Sequence, residues 1–307
     1  MRFAKRGALA RWLVVVMLLA ACAPGPAPTG SGGATPGSLV PGSSARPSVA
    51  GTGKPPSASQ SAPSPATLHA GCPATASNAG PSSRQRSLHA ATTNWSGYVA
   101  RASKAFSCIQ GRWTQPNLTC PARGNASLAI WIGFDGETGP SRTTLEQIGT
   151  NTDCQDGLAR MFAWFEILPH DRFEQELQLE IRTGDRIVAS IAFVGASYHL
   201  VLENLTTGQA EGTWQHSPGS RRLTAEWVVE APTVGCPSNC QVASLAPFGT
   251  VSFSAARVIL TGKTGPIGDG RWTRVRLDLE SRSGLVKARP GSLAKDGAGF
   301  AVAWHHR

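Results

Sequence analysis

Acidic residues are missing from the first 134 positions of this 307-residue chain. That part carries 12 Lys and Arg, while the remainder carries 17 basic and 19 acidic residues, so the net charge of +10 originates at the front. The excess is spread over a leader, a spacer and the first strands, with no cluster along one helix or groove. A nucleic-acid surface is therefore not expected. The sequence also lacks a long apolar run, the stretch from Trp12 to Ala20 being too short to cross a bilayer comfortably. There is no Gly-x-Ser-x-Gly elbow, His-Glu-x-x-His pair, phosphate-binding loop or dinucleotide fingerprint, which removes the commonest hydrolase, zinc-peptidase and nucleotide chemistries. Asp-Thr-Gly and Asp-Ser-Gly loops are absent too. The seven histidines have no metal-ligand spacing, and the adjacent His305 and His306 would point to opposite sides of a strand. No metal and no cofactor are expected.

Targeting information occupies the start. Arg2, Lys5, Arg6 and Arg11 precede the short apolar run, which ends Leu19-Ala20-Ala21-Cys22. This pattern resembles a bacterial lipobox, with Cys22 as the lipidation point, so residues 1–22 read as a lipoprotein-type signal peptide. Residues 23–87 are rich in Gly, Pro, Ser, Ala and Thr and poor in large apolar side chains. Such a segment buries too little surface to offset its conformational entropy, and it reads as a disordered linker. An exported protein, lipid-anchored to the cell membrane, follows. With Cys22 set aside, six cysteines remain, an even number that suits disulfides in an exported chain. Cys236 and Cys240 bracket a small turn, Cys108 and Cys120 are candidates to tie neighbouring strands, and Cys72 with Cys154 is left by elimination.

Residues 88–307 contain many short β-branched and aromatic runs, among them Trp95–Val99, Phe106–Trp113, Leu128–Phe134, Met161–Leu168, Glu176–Ile181, Tyr198–Asn204 and Thr250–Val258. Turn signals such as Asp135-Gly136, Thr183-Gly184-Asp185 and Thr207-Gly208 separate them. No stretch has a 3.6-residue apolar period. The expected fold is all-β, a two-sheet antiparallel β-sandwich. In Ala225-Glu226-Trp227-Val228-Val229-Glu230, period-two alternation puts Ala225, Trp227 and Val229 on one face and Glu226, Val228 and Glu230 on the other. Taken alone, this reads as an ordinary half-solvated strand.

Six segments in order change that reading. They are Asn94-Trp95-Ser96-Gly97, Ala129-Ile130-Trp131-Ile132-Gly133-Phe134-Asp135-Gly136, Leu145-Glu146-Gln147-Ile148-Gly149, Trp164-Phe165-Glu166-Ile167-Leu168-Pro169, Leu202-Glu203-Asn204-Leu205-Thr206-Thr207-Gly208-Gln209 and Ala225–Glu230. Together they resemble the glutamic peptidases of the G1, or eqolisin, family. The resemblance implies a concanavalin-like sandwich and an acid-active, pepstatin-insensitive endopeptidase whose catalytic pair falls on Gln147 and Glu230. It implies polypeptide substrates and no cofactor, and a monomer is expected. In chemical terms, Glu230 would take a proton from water and return one to the leaving amine, with its pKa kept low by hydrogen bonds. Gln147 would donate to the oxyanion and orient the water. By the same analogy Asp135 and Glu166 would hold the pair, Trp131, Trp95 and Trp164 would line the groove, and Glu146 would add a carboxylate near the site. Glu226 stays unassigned. The competing readings are a lectin-like carbohydrate-binding module and a noncatalytic surface protein on the same scaffold. The Gln147–Glu230 pair discriminates, because a sugar binder has no use for it.

Overall fold

The computed structural model describes residues 68–73, 77–78, 87–137, 143–171, 173–236 and 238–307. The signal peptide, Cys22 and most of the expected linker lie outside the described residues. In chain order the strands are β1 (Ser77–Asn78), β2 (Ser87–Thr92), β3 (Trp95–Arg101), β4 (Phe106–Thr114), β5 (Asn125–Asp135), β6 (Leu145–Gln155) and β7 (Leu158–Leu168). They continue with β8 (Gln175–Leu177), β9 (Arg186–Val194), β10 (Ser197–Asn204), β11 (Gln209–Gln215), β12 (Thr224–Glu230), β13 (Thr233–Val234) and β14 (Gln241–Val242). The last are β15 (Thr250–Leu260), β16 (Lys263–Pro266), β17 (Thr273–Glu280), β18 (Val286–Pro290) and β19 (Phe300–Trp304). The expected strand at Glu176–Ile181 stops at Leu177.

Two sheets stack face to face. The front sheet runs β8-β7-β6-β5-β12-β3-β17-β18-β19, each of these neighbours antiparallel, with β2 joined in parallel to β17. The back sheet runs β11-β10-β9-β4-β15-β16. Strand β15 belongs to both. Its first residues, Thr250–Phe253, pair with β19 of the front sheet, and after a register shift at Ser254–Arg257 it pairs with β4. Ala255, with φ of 47°, sits at that corner, where a bulge lets one strand turn from sheet to sheet.

Alternation decides which side chains fill the space between the sheets. Ala225, Trp227 and Val229 of β12 join Ile130, Ile132, Ile148, Ile191, Leu200 and Leu202 in the main core. The opposite side of β12 is also covered, so the half-solvated reading fails: Glu226 and Val228 are 0% exposed. β12 is the central strand, with β3 on one edge and β5 on the other. A second cluster caps its outer face, built from Trp95, Val99, Ala129, Trp131, Leu145, Phe162, Trp164 and Val228.

Among the described residues, packing against the sandwich is already present at Leu68, before the expected domain boundary. Residues 68–72 cross the outer face of the back sheet as a strap. Leu68 lies against Gly212 of β11, and the Ala70 N–H donates to Glu203 of β10 at 3.0 Å. The Gly71 N–H donates to Ser190 of β9 at 2.9 Å, and the Cys72 N–H to Gln110 of β4 at 2.9 Å. A disulfide joins Cys72 to Cys108, and a second joins Cys120 to Cys154. These replace the expected Cys108–Cys120 and Cys72–Cys154 pairs, because the strap brings Cys72 to β4 and the loop after β4 returns Cys120 to the end of β6. Cys236–Cys240 pairs as expected.

Candidate active site

Register builds the outer face of the front sheet into three rows. Val99, Glu226, Gly133, Gln147 and Glu166 form the first, on β3, β12, β5, β6 and β7. Gly97, Val228, Trp131, Gly149 and Trp164 form the second, and Trp95, Glu230, Ala129, Asn151 and Phe162 the third. The small residues are steric requirements. A Cβ on Gly149 would lie 2.3 Å from the Ile130 carbonyl oxygen and 2.6 Å from Trp131 Cβ, so only glycine lets the Trp131 indole lie down between the strands.

Trp131 Nε1 donates to Glu230 Oε2 at 2.7 Å, and Asn94 Nδ2 donates to Glu230 Oε1 at 2.9 Å. The Trp95 indole packs edge-on against Trp131 with ring centroids 4.9 Å apart, and its N–H lies close to Glu230 without reaching hydrogen-bond geometry. Asn94 is fixed by its neighbours. The Thr92 hydroxyl brackets Trp95, accepting from its N–H at 2.8 Å and donating to its carbonyl at 2.6 Å. The Asn94 carbonyl accepts from the Ala231 N–H at 2.9 Å, tying the start of β3 to the end of β12. Asn94 is the site residue that sequence reasoning left without a role, although it adjoins Trp95 in the first of the six segments.

Burial overrides those hydrogen bonds. The Glu230 carboxyl is pushed up to about 8, first by desolvation and further by the charge of Glu166, while the Trp131 and Asn94 donors only moderate the rise. The expectation of a depressed pKa is thereby corrected. Glu230 is still partly exposed as a residue, so its row opens to solvent.

Gln147 is 4% exposed, and its Nε2 donates to Glu166 Oε2 at 2.7 Å. Glu166 is pushed up to about 7 by burial, helped by the nearby charge of Glu174. Gln147 and Glu230 thus share one face, on strands separated by β5, with Trp131 between their rows. Trp164 is 5% exposed, and its Nε1 has no partner, a donor held ready in the second row.

Two acids lie elsewhere than expected. Asp135 makes no hydrogen bond to Gln147 or Glu230. It closes β5 with φ of 66°, and its carboxylate accepts from the N–H groups of Arg221, Arg222 and Leu223 at 2.8, 2.7 and 3.0 Å. It anchors the loop that leads into β12. Glu146 points to the opposite side of β6 from Gln147, as adjacent strand residues must, and accepts from Ser217 at 2.6 Å and Ser220 at 3.0 Å. Burial pushes it up to about 8. Among the described residues no group of three or more His, Cys, Asp or Glu is arranged to hold a metal.

Comparison with known proteins gives one family model, the Peptidase A4 family, matching residues 93–286. No curated protein sequence matches. Scytalido-glutamic peptidase, solved with a transition-state analogue inhibitor, superposes with a TM-score of 0.59 at 21% identity, over 69% of this chain and 98% of that one. SCP-B, an eqolisin-family peptidase in complex with the tripeptide Ala-Ile-His, gives 0.56 at 21% over 69% and 98%. Aspergilloglutamic peptidase from Aspergillus niger gives 0.50 at 26% over 59% and 99%. The structural likenesses carry the sandwich and the family model carries the relationship: this chain belongs to the Peptidase A4 family, the G1 or eqolisin glutamic peptidases, and is a peptide hydrolase.

Proposed function

We propose that the chain is an acid-active, pepstatin-insensitive endopeptidase in which Gln147 and Glu230 carry out hydrolysis. The observation that carries this reading is the gripped carboxyl of Glu230, held by Trp131 at 2.7 Å and Asn94 at 2.9 Å on the same face as an amide anchored at 2.7 Å. With its pKa raised to about 8, Glu230 rests as a neutral acid at low pH. A carboxylic acid offers an O–H donor on one oxygen and an acceptor on the other. As water attacks the scissile carbonyl carbon, its proton passes to the acceptor oxygen, and the acid's own proton passes to the carbonyl oxygen. The second Nε2 hydrogen of Gln147 supports that oxygen while its charge develops. In the collapse, Glu230 protonates the leaving nitrogen and recovers a proton from a diol hydroxyl as the C–N bond breaks. Neither step needs an ionised base, and glutamine does not titrate.

Trp95, Trp131 and Trp164 line the bed on which an extended polypeptide lies. The unpartnered Trp164 N–H supplies a donor for a backbone carbonyl of the substrate. Glu166 positions Gln147. Three disulfides suit an oxidising, extracytoplasmic setting. We also propose that Cys22 anchors the chain to the membrane by lipidation; mass spectrometry of the cellular protein, with Cys22→Ser as control, tests this.

The test of the chemistry is casein hydrolysis by the full chain between about pH 2 and 7 with pepstatin present, and kcat/KM on a short peptide from about pH 2 to 9. Activity that persists to low pH and declines as Glu230 ionises supports the neutral-acid cycle. An acidic limb near pH 4–5, with no turnover below it, shows Glu230 acting as an ionised base instead. A folded chain with no activity at any pH overturns the peptidase reading.

A further inference from the structure

Three buried polar atoms in the first row have no hydrogen-bond partner: both carboxyl oxygens of Glu226 and Oε1 of Gln147. Register sets the two residues on either side of Gly133, Glu226 paired with it from β12 and Gln147 from β6. Paired residues on neighbouring strands have Cα atoms about 4.5–5.5 Å apart, so Glu226 and Gln147 are separated by about 10 Å at Cα. Two extended side chains of this length close such a span between them. The residue in the middle must be glycine, because a Cβ there would lie 2.9 Å from the Glu146 carbonyl oxygen, 3.0 Å from Trp131 Cζ3 and 3.4 Å from Gln147 Cβ, and the edge of the Trp131 ring borders the path between the two side chains.

We propose that Glu226 is a positioning residue for Gln147, its carboxylic acid O–H donating to Gln147 Oε1 directly or through one water. The inference rests on the Gln147–Glu230 reading and extends it to a residue that does not touch the substrate. An amide held only through Nε2 can swing or turn over. Held at both ends, by Glu166 and by Glu226, it must keep its second Nε2 hydrogen aimed at the substrate carbonyl.

The surroundings leave Glu226 little else to do with its proton. Asp135 already accepts from three backbone N–H groups, Glu137 is paired with Arg101, and Glu146 accepts from Ser217 and Ser220. The Thr224 hydroxyl, two residues away on the same strand, lies close to one Glu226 oxygen without reaching full hydrogen-bond geometry, and it moderates the rise in the Glu226 pKa. Glu226 itself is 0% exposed, and desolvation first, then the charges of Asp135, Glu137 and Glu146, raise its pKa well above the ordinary carboxyl value. It is therefore a donor, and the unpartnered acceptor in its row is Gln147 Oε1.

The experiment compares Glu226→Leu and Glu226→Gln in the full chain, measuring kcat and KM separately together with the melting temperature. Leucine removes an unsatisfied buried acid, so a merely structural role predicts unchanged kcat and equal or higher stability. The positioning role predicts a drop in kcat of about 10–100-fold at nearly constant KM, because a misaimed Gln147 costs transition-state contact and not binding. Glutamine keeps an N–H donor at that point and restores kcat to within about threefold of wild type. If Glu226→Leu does not fold, the isosteric Glu226→Gln carries the test: a kcat as low as that of Gln147→Ala overturns the proposal. So does a folded Glu226→Leu with wild-type kcat. Those results leave the peptidase reading intact, whereas a folded wild type without activity overturns both.

Discussion

The two outer faces of the sandwich treat buried polar groups in opposite ways. On the back sheet, the strap gives each polar side chain it covers a partner. Glu203 receives the Ala70 N–H and lies 3.2 Å from His69, Ser190 receives Gly71, and Gln110 receives Cys72. On the front sheet, Gln147 Oε1, Asn94 Oδ1, Trp164 Nε1 and both oxygens of Glu226 are buried without one. An unpaired buried polar group costs about 1–3 kcal/mol, so among the described residues the front face holds several such costs and the back face none of this kind. Satisfied polar groups fasten the fold, and unsatisfied ones on the outer face of the front sheet leave donors and acceptors free for chemistry.

The largest expected effect tests the front face. Replacing Glu230 with Ala should lower kcat/KM by about 10³–10⁴-fold, and Gln147→Ala by about 10²–10³-fold, while the stranded Trp131 and Asn94 donors, or the stranded Glu166, cost about 1–3 kcal/mol in stability. Peptide hydrolysis assays beside thermal melts measure both. An unchanged kcat/KM in either folded variant would erase the contrast.

Next in size is the response to pH. Glu146 and Glu230 are both raised to about 8 and Glu166 to about 7. A raised carboxyl pKa means the folded state binds the proton more tightly than the unfolded one. The resulting stability is fully present below pH 4.5 and is lost as pH rises through 7 and 8. The fold should therefore melt several kcal/mol less stable at pH 8 than at pH 4. Glu146→Gln, which keeps one acceptor oxygen, turns the other into an N–H donor and does not titrate, should flatten that slope in urea denaturation at the two pH values.

The back face should break differently. Cys72→Ser with Cys108→Ser should cost about 2–4 kcal/mol by releasing the strap covalently, while kcat per folded molecule stays at wild type. Glu203→Leu, which strands the Ala70 N–H and His69, should cost about 1–3 kcal/mol, again without touching kcat. Its front-face counterpart, Glu226→Leu, should cost less stability than Glu203→Leu but should lower kcat, which is the sharpest form of the comparison.

Much of the fold was legible because apolar alternation is a local signal. Strands such as Phe106–Thr114 and Thr224–Glu230 begin and end within a few residues of where β-branched runs and turn residues put them. The joint placement of Gln147, Glu166 and the tryptophans followed from parity along β5, β6 and β7 once the six segments were aligned in order. What escaped were properties of strand neighbours, which no single stretch encodes. Glu226 reads as a solvent-facing acid until β3 and β5 are known to flank it. Asp135 reads as part of the groove until its positive φ turns its carboxylate to the loop at 221–223. The strap escaped because Leu68–Cys72 has no strand pattern, and two disulfides were misassigned with it. The pKa of Glu230 was misjudged for a related reason: hydrogen-bond donors are visible in a motif, whereas the depth of burial that outweighs them is not.

The bond between Cys72 and Cys108 has a topological consequence. It closes residues 73–107 into a covalent ring, so a single peptide-bond cut anywhere in that ring yields two chains that still travel as one molecule. Arg84 and Arg86 fall inside the ring. A nick beside them would leave residues 1–72, with whatever holds them to a surface, joined to the catalytic sandwich. Separating the two pieces of such a nicked molecule then takes two unlike chemical events, hydrolysis and reduction, whereas a cut before Cys72 is not bridged at all.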